Sequence, residues 1–197
     1  MTIHTVGDSH SIFGWKDING CETHHLGPIL CYSFGRDKLK RFDIRNLAIN
    51  HGDSIVFCMG EIDCRCHIHK HVTPLRPYTT IIEEIVYEYM NAIKLSVQNC
   101  VVELKAVCIF NVVPPVKKHE TVENPIFPYL GSDQDRKMYV LYFNACLQKK
   151  CKENDFTYID VYKSYTDKDG FLNKQYSDGV VHIKNPCYIK ESVTKLI

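Results

Sequence analysis

The sequence predicts an α/β protein, a three-layer α/β/α sandwich around a mostly parallel central sheet. Three observations lead there. Short β-branched or continuous apolar runs recur at residues 2–6 (TIHTV), 54–59 (SIVFCM), 101–112 (VVELKAVCIFNV) and 156–161 (FTYIDV). The longer segments between them carry apolar residues at helical spacing. The chain has 197 residues, 45% hydrophobic and 24% charged. That is long enough for one domain with a sizeable core and short for two, so residues 1–197 are expected to form a single domain. Strands that alternate with helices need crossover connections, and these give a parallel sheet with helices on both faces.

The elements follow in chain order. The first strand, 2–6, stops at Gly7, and a short strand is expected around ETHHL (22–26), before Gly27. A helix is expected over 37–47. The run SIVFCM has no polar alternation, as in a strand covered on both faces. In 80–97, Ile82, Ile85, Val86, Tyr89, Ile93 and Val97 share one helical stripe, while Glu83, Glu84, Glu88 and Lys94 lie off it. A third strand within 101–112 is ended by Pro114-Pro115. Ser132 and Asp135 have the spacing of a capping box for a helix over 133–152, whose expected apolar stripe is Met138, Leu141, Tyr142 and Ala145. The fourth strand, 156–161, precedes a last helix near 186–196.

Bulk properties exclude several functions. The net charge is +1, and the nearest thing to a basic block is Lys117-Lys118, so no nucleic-acid partner is expected. No apolar run reaches membrane-spanning length, and no membrane partner is expected. The first residues lack a charged, apolar and cleavable leader, which points to a cytoplasmic location. Of the ten cysteines, several sit inside apolar runs, as Cys58 and Cys108 do; reduced, mostly buried thiols are expected.

In parallel α/β sheets ligands bind beyond the carboxyl ends of the strands. Ser9 lies just past the first strand, the stretch GEIDCR (60–65) past SIVFCM, and Asn111 at the end of the next strand. These three segments should converge on one sheet edge. Asp8 and Ser9 can equally cap a helix that follows the first strand. The stretch CRCHIHKH (64–71) offers metal-ligand types: strand alternation would put Cys64 and Cys66 on one face and His67, His69 and His71 on the other. Its spacing is not that of a zinc site, and no metal is expected. DKDG (167–170) reads as a turn, because its glycine is misplaced for a calcium loop.

GDSH at 7–10 and SDGVVHI at 177–183 resemble the first and last motifs of the SGNH (GDSL-type) hydrolases. The resemblance implies a flavodoxin-like sandwich and a serine esterase without cofactor. It implies Ser9 as nucleophile, His182 as general base and Asp178 as the acid that orients it. Gly27 matches the glycine whose N–H helps bind the oxyanion. The family's Gly-x-Asn-Asp motif corresponds here to Gly60-Glu61-Ile62-Asp63, so the residues implied around the oxyanion and substrate include Gly60, Glu61 and Asp63. Ile62 stands where an Asn side chain would donate to the oxyanion. Arg65, His67 and Asn111 are the candidates to replace it, with Arg65 favoured. Three residues rather than two separate Asp178 from His182. The implied substrate is a small-molecule or glycan ester, and the implied reaction is removal of a short acyl group such as O-acetyl from a carbohydrate. An O-acyltransferase using the same triad, or a non-catalytic carbohydrate-binding protein that kept the fold, are the alternatives.

Overall fold

The computed structural model describes residues 1–194. Five strands form one fully parallel sheet: β1 (Ile3–Gly7), β2 (Cys21–His25), β3 (Ser54–Cys58), β4 (Ala106–Phe110) and β5 (Thr157–Ile159), in the spatial order β2-β1-β3-β4-β5. This is the flavodoxin-like order, whose direction of winding reverses between β1 and β3. The helices are α1 (Cys31–Asp37), α2 (Tyr78–Gln98), α3 (Asp133–Glu153), α4 (Tyr162–Tyr165) and α5 (Cys187–Val193).

The central strands lack polar alternation because both faces are covered. Along β3, Ile55 and Phe57 enter the core under α1, α2 and α3, while Val56 and Cys58 enter a second core with Trp15, Ile183 and Ile189 from the α5 side. In β4, Ile109 enters the first core and Cys108 and Phe110 the second. The expected α2 stripe is buried, with Val97 partly so. All ten cysteines are free thiols.

Several boundaries differ from expectation. The strand within 101–112 is confined to β4, and Val101 is exposed. No continuous helix spans 37–47. Instead α1 starts at Cys31, because the Asp63 carboxylate, 32 residues ahead in sequence, accepts hydrogen bonds from the Cys31 and Tyr32 amides at 2.7 and 3.2 Å. It stops where Lys38 turns to a φ of 49°, and only short 3-10 turns follow at Lys38–Lys40 and Ile44–Asn46. The capping box of α3 forms as the spacing predicts, Asp135 N–H donating to the Ser132 hydroxyl and Ser132 N–H to the Asp135 carboxylate. Its buried face is offset from the expected one. Tyr139, Val140, Phe143 and Leu147 pack inward, whereas Met138 and Leu141 are exposed. Arg136 and Asn144 occupy this buried face and disguise it in the sequence. Asn144 is satisfied there by both backbone groups of Val112 (2.8 Å each), and Arg136 Nη1 donates to the carbonyls of Leu130 and Gly131. The last helix ends at Val193; residues 195–196 of the expected helix lie outside the described residues.

Candidate active site

β1 ends at Gly7, where only glycine fits: a Cβ there would lie 1.9 Å from the Cys58 carbonyl oxygen of the adjacent strand. The chain then makes a 3-10 turn, Ser9–Ser11. Asp8 is its cap, accepting from the His10 amide at 2.8 Å. Below the turn, the Ser11 hydroxyl donates to the Asp8 carbonyl (2.8 Å) and the Thr5 hydroxyl to the Ser11 carbonyl (2.6 Å). Capping thus falls to Asp8 and leaves the Ser9 hydroxyl free to face outward. The Ser9 amide, first in the turn, is one of the donors a helical start leaves without an intrahelical partner.

The second half of the site is the loop 177–183. Ser177 and Ile183 pair as a short antiparallel bridge, and Asp178 N–H donates to the His182 carbonyl at 3.1 Å. Inside this closed loop, Asp178 Oδ1 accepts from the amides of Val180 (2.8 Å) and His182 (3.1 Å). The three-residue spacing is absorbed by this turn, with Gly179 at a φ of 88°. Asp178 Oδ2 lies 2.6 Å from His182 Nδ1, and His182 Nε2 lies 2.9 Å from Ser9 Oγ. A carboxylate only accepts, so the ring hydrogen sits on Nδ1 and Nε2 is free to accept from the serine. Phe13 stacks on the imidazole at 4.1 Å between ring centres, 18° from parallel, and fixes its plane. Nothing in the spacing of the sequence singles Phe13 out.

The electrostatics suit a proton acceptor. Burial, and then the charge of His10, push His182 below its ordinary 6.5, against the pull of Asp178. Asp178 itself, despite burial, is held below the ordinary carboxylate value by the hydrogen bonds from His182 and the Val180 amide.

A cleft of about 340 Å³ opens over Ser9 and His182. Its apolar walls include Pro28, Ile62, Phe127 and Val181, and its polar lining includes His25, Arg65 and Asn124. Of the oxyanion and substrate candidates read from the sequence, Arg65 borders this cleft. Its Nε and Nη2 bind the Glu61 carboxylate at 2.7 and 3.0 Å, and Nη1 donates to the Phe127 carbonyl. Gly27, at a φ of 78°, precedes Pro28 at the rim, and its amide makes no hydrogen bond among the described residues.

The other candidates lie elsewhere. Gly60 is packed in the core: a Cβ would meet Val112 at 2.7 Å and Phe143 at 3.3 Å. Glu61 is buried behind the cleft as the partner of Arg65, and although burial alone would raise it, Arg65 and His10 hold it down at about 2. Asp63 caps α1, and burial pushes it up to about 7. Asn111 ties strand ends together, accepting from the Val161 amide (2.9 Å) and donating to the Val112 carbonyl (2.7 Å). His67 faces away, because residues 63–71 form π- and 3-10-helical turns and not a strand. It rests against Tyr32 and His71 in a separate groove of about 450 Å³ between α1 and α2, while His69 bonds the Tyr139 hydroxyl. The alternating faces expected of CRCHIHKH therefore do not form. Pro28, Phe127 and Asn124 line the cleft without any motif to announce them; Ile62 does so at the one motif position where it replaces Asn.

No known family profile matches the chain, and no curated protein does. Solved structures do. A GDSL-like lipase from Bacteroides thetaiotaomicron superposes with a TM-score of 0.65 at 15% identity, over 98% of this chain and 86% of that one. A catalytic mutant of an acetylxylan esterase from Geobacillus stearothermophilus gives 0.59 at 8% identity, over 99% and 93%. Phospholipase A1 from Streptomyces albidoflavus gives 0.57 at 8%, over 100% and 99%. With the flavodoxin-like strand order, and with Ser9 and His182 meeting where the winding reverses, these likenesses give the chain the fold of the SGNH (GDSL-type) hydrolases.

Proposed function

We propose that the protein is a serine ester hydrolase, with Ser9 as nucleophile, His182 as general base and Asp178 as the group that orients and stabilises the imidazolium. One observation carries the reading: the unbroken chain from Ser9 Oγ to His182 Nε2 (2.9 Å) and from His182 Nδ1 to Asp178 Oδ2 (2.6 Å). A serine hydroxyl is a weak nucleophile until a base within this reach takes its proton. Ser9 Oγ attacks the ester carbonyl as its hydrogen passes to His182 Nε2. The carbonyl oxygen becomes an oxyanion, and the free amides of Ser9 and Gly27 are its donors. Collapse expels the alcohol, which takes the proton from Nε2, and leaves Ser9 acylated. A water molecule, deprotonated by the same nitrogen, then releases the acid.

The substrate class we favour is a short acyl ester, such as an O-acetyl group on a sugar. A small acyl group fits the apolar walls around Ile62, and His25, Arg65 and Asn124 offer hydrogen bonds to a polar alcohol portion. Among the neighbours in fold is an acetylxylan esterase. The test is a screen of short- and long-chain aryl esters and acetylated sugars beside Ser9→Ala. Hydrolysis of acetyl esters that disappears in Ser9→Ala is the expected result. Hydrolysis that survives the substitution would end the reading, and a preference for long chains would replace the substrate class.

A further inference from the structure

Between β1 and the edge strand β2 lies a second cluster, separate from the Ser9, His182 and Asp178 chain. In the parallel register His4 of β1 lies opposite Glu22 of β2, and Val6 opposite His24. Side chains two apart share a face of a strand, so Glu22 and His24 project on the same side as His4. His4 Nδ1 is 3.0 Å from His24 Nε2, and the Glu22 carboxylate lies 3.9 Å from the first and 3.7 Å from the second. One atom from each residue falls within 4.8 Å of the others, and no other three-residue cluster of such ligands occurs among the described residues.

A fourth residue orients the first. Asp53, buried just before β3, is fixed by the amides of Thr2 (2.6 Å) and Asn50 (2.8 Å) and lies 3.3 Å from His4 Nε2. A carboxylate in this place keeps the hydrogen of neutral His4 on Nε2 and turns the Nδ1 lone pair toward His24 and Glu22. This is the outer-sphere arrangement of metal-binding histidines. His4 is 1% exposed, His24 15% and Glu22 53%, so the cluster is buried at its base and open to solvent at its mouth.

We propose that His4, Glu22 and His24 bind a zinc ion, with water as fourth ligand, and that the ion clips the edge strand β2 to β1. Two imidazoles and one carboxylate are a donor set suited to Zn²⁺. Bonds of about 2.0–2.1 Å to a tetrahedral ion separate two nitrogens by about 3.3 Å. The 3.0 Å pair therefore opens by a few tenths of an ångström, which the solvent-facing His24 ring accommodates. The ion takes the place of the hydrogen shared by the two rings, and neutral His24 then carries its single hydrogen on Nδ1.

The test is calorimetric titration of untagged, metal-stripped protein with Zn²⁺, beside Glu22→Gln and His24→Ala, with all ten thiols kept reduced. One ion per chain is expected. Each substitution removes a direct ligand and should weaken binding by more than the roughly 10–100-fold that a lost outer-sphere partner costs. At 100 times the dissociation constant, zinc should raise the wild-type midpoint by roughly 5–10 °C, and far less in either variant. Without metal, both variants should hydrolyse an aryl acetate as the wild type does. Cobalt(II) should give weak visible bands of a nitrogen and oxygen site, without an intense near-ultraviolet thiolate band. Absence of binding to the wild type, equal binding to Glu22→Gln, or a thiolate band would each overturn the proposal. Glu22→Gln keeps the side-chain shape at an exposed position, so the test stands even if His24→Ala folds poorly.

Discussion

The imidazole of His10 lies 5.0 Å, centre to centre, from that of His182. Burial pushes His10 down, but Glu61, with its carboxylate 3.9 Å away, and Asp8 outweigh it and hold His10 above 6.5. After its own burial, that neighbouring charge is the next cause that lowers His182. In its proposed role as base His182 must be neutral to accept a proton, so activity should already be near its plateau at neutral pH, with its acid limb below 6.5. His10→Asn removes the positive charge and makes protonated His182 easier to form. The acid limb of kcat/KM for an aryl acetate should move to higher pH. A limb that stays in place would mean that His10 does not carry charge beside the base.

Asp63 gives a prediction for stability, set by burial. Burial raises it to about 7 and Asp8 to about 6. Both values lie above the ordinary 3.8, so between pH 4 and 7 the native protein holds protons that the unfolded chain has released. Their contribution to stability is complete below about pH 4 and is lost as pH rises through about 6 and 7. Asp63→Asn stays neutral throughout. Urea unfolding at pH steps from 5 to 8 should show wild-type stability falling more steeply than that of Asp63→Asn; parallel slopes would show Asp63 ionised across the range. Asp63→Ala also removes the α1 cap and should cost about 1–2 kcal/mol at pH 5.

The sheet was legible in the sequence because β3 and β4 are covered on both faces and read as unbroken apolar runs. The Ser9, Asp178 and His182 cluster was legible through two short motifs, although 173 residues separate the hydroxyl from the imidazole. What was not legible depends on distant partners. The start of α1 is set by Asp63, and no local pattern before Cys31 marks it. The inner face of α3 includes Arg136 and Asn144, which count as surface residues until the loop carbonyls that bind them are known. His67 and Asn111 carry suitable chemistry at suitable positions in sequence. A π-helical turn sends the first into another groove, and the strand ends claim the second. The His4, Glu22 and His24 cluster was hidden for the same reason, since only the pairing of β1 with β2 joins its halves.

Arg65 and Glu61 form a bidentate pair that is almost wholly enclosed. Arg65→Ala would leave the Glu61 carboxylate buried without its main counter-charge. Breaking a buried pair on one side costs about 3–5 kcal/mol, so urea unfolding should show a loss of that order. Arg65→Met with Glu61→Gln removes both charges and should recover much of it. A single substitution that costs less than about 1 kcal/mol would show that water reaches the pair.

The cluster of Ser9, His182 and Asp178 predicts a pattern across variants, not only a loss. Ser9→Ala removes the proposed nucleophile and His182→Ala the proposed base. If the three act as one unit, either change removes nearly all that the unit contributes, and the double variant should be little slower than the single ones. Asp178→Ala should be milder, because the imidazole can still accept a proton. Its loop, however, loses the carboxylate that accepts from the Val180 and His182 amides. Asp178→Asn keeps an oxygen for those amides and disturbs only the partner of Nδ1. The two Asp178 variants therefore separate loop from chemistry: similar activity in both points to lost orientation of the ring, whereas a much lower midpoint in the alanine variant points to the loop. Ser9→Ala should leave the thermal midpoint within about 1–2 °C, since Asp8 and not Ser9 caps the turn. Hydrolysis of an aryl acetate against pH, with unfolding followed in parallel, measures all of this. Full activity in Ser9→Ala, or losses that multiply in the Ser9→Ala, His182→Ala double variant, would mean that the hydroxyl and the imidazole do not work together.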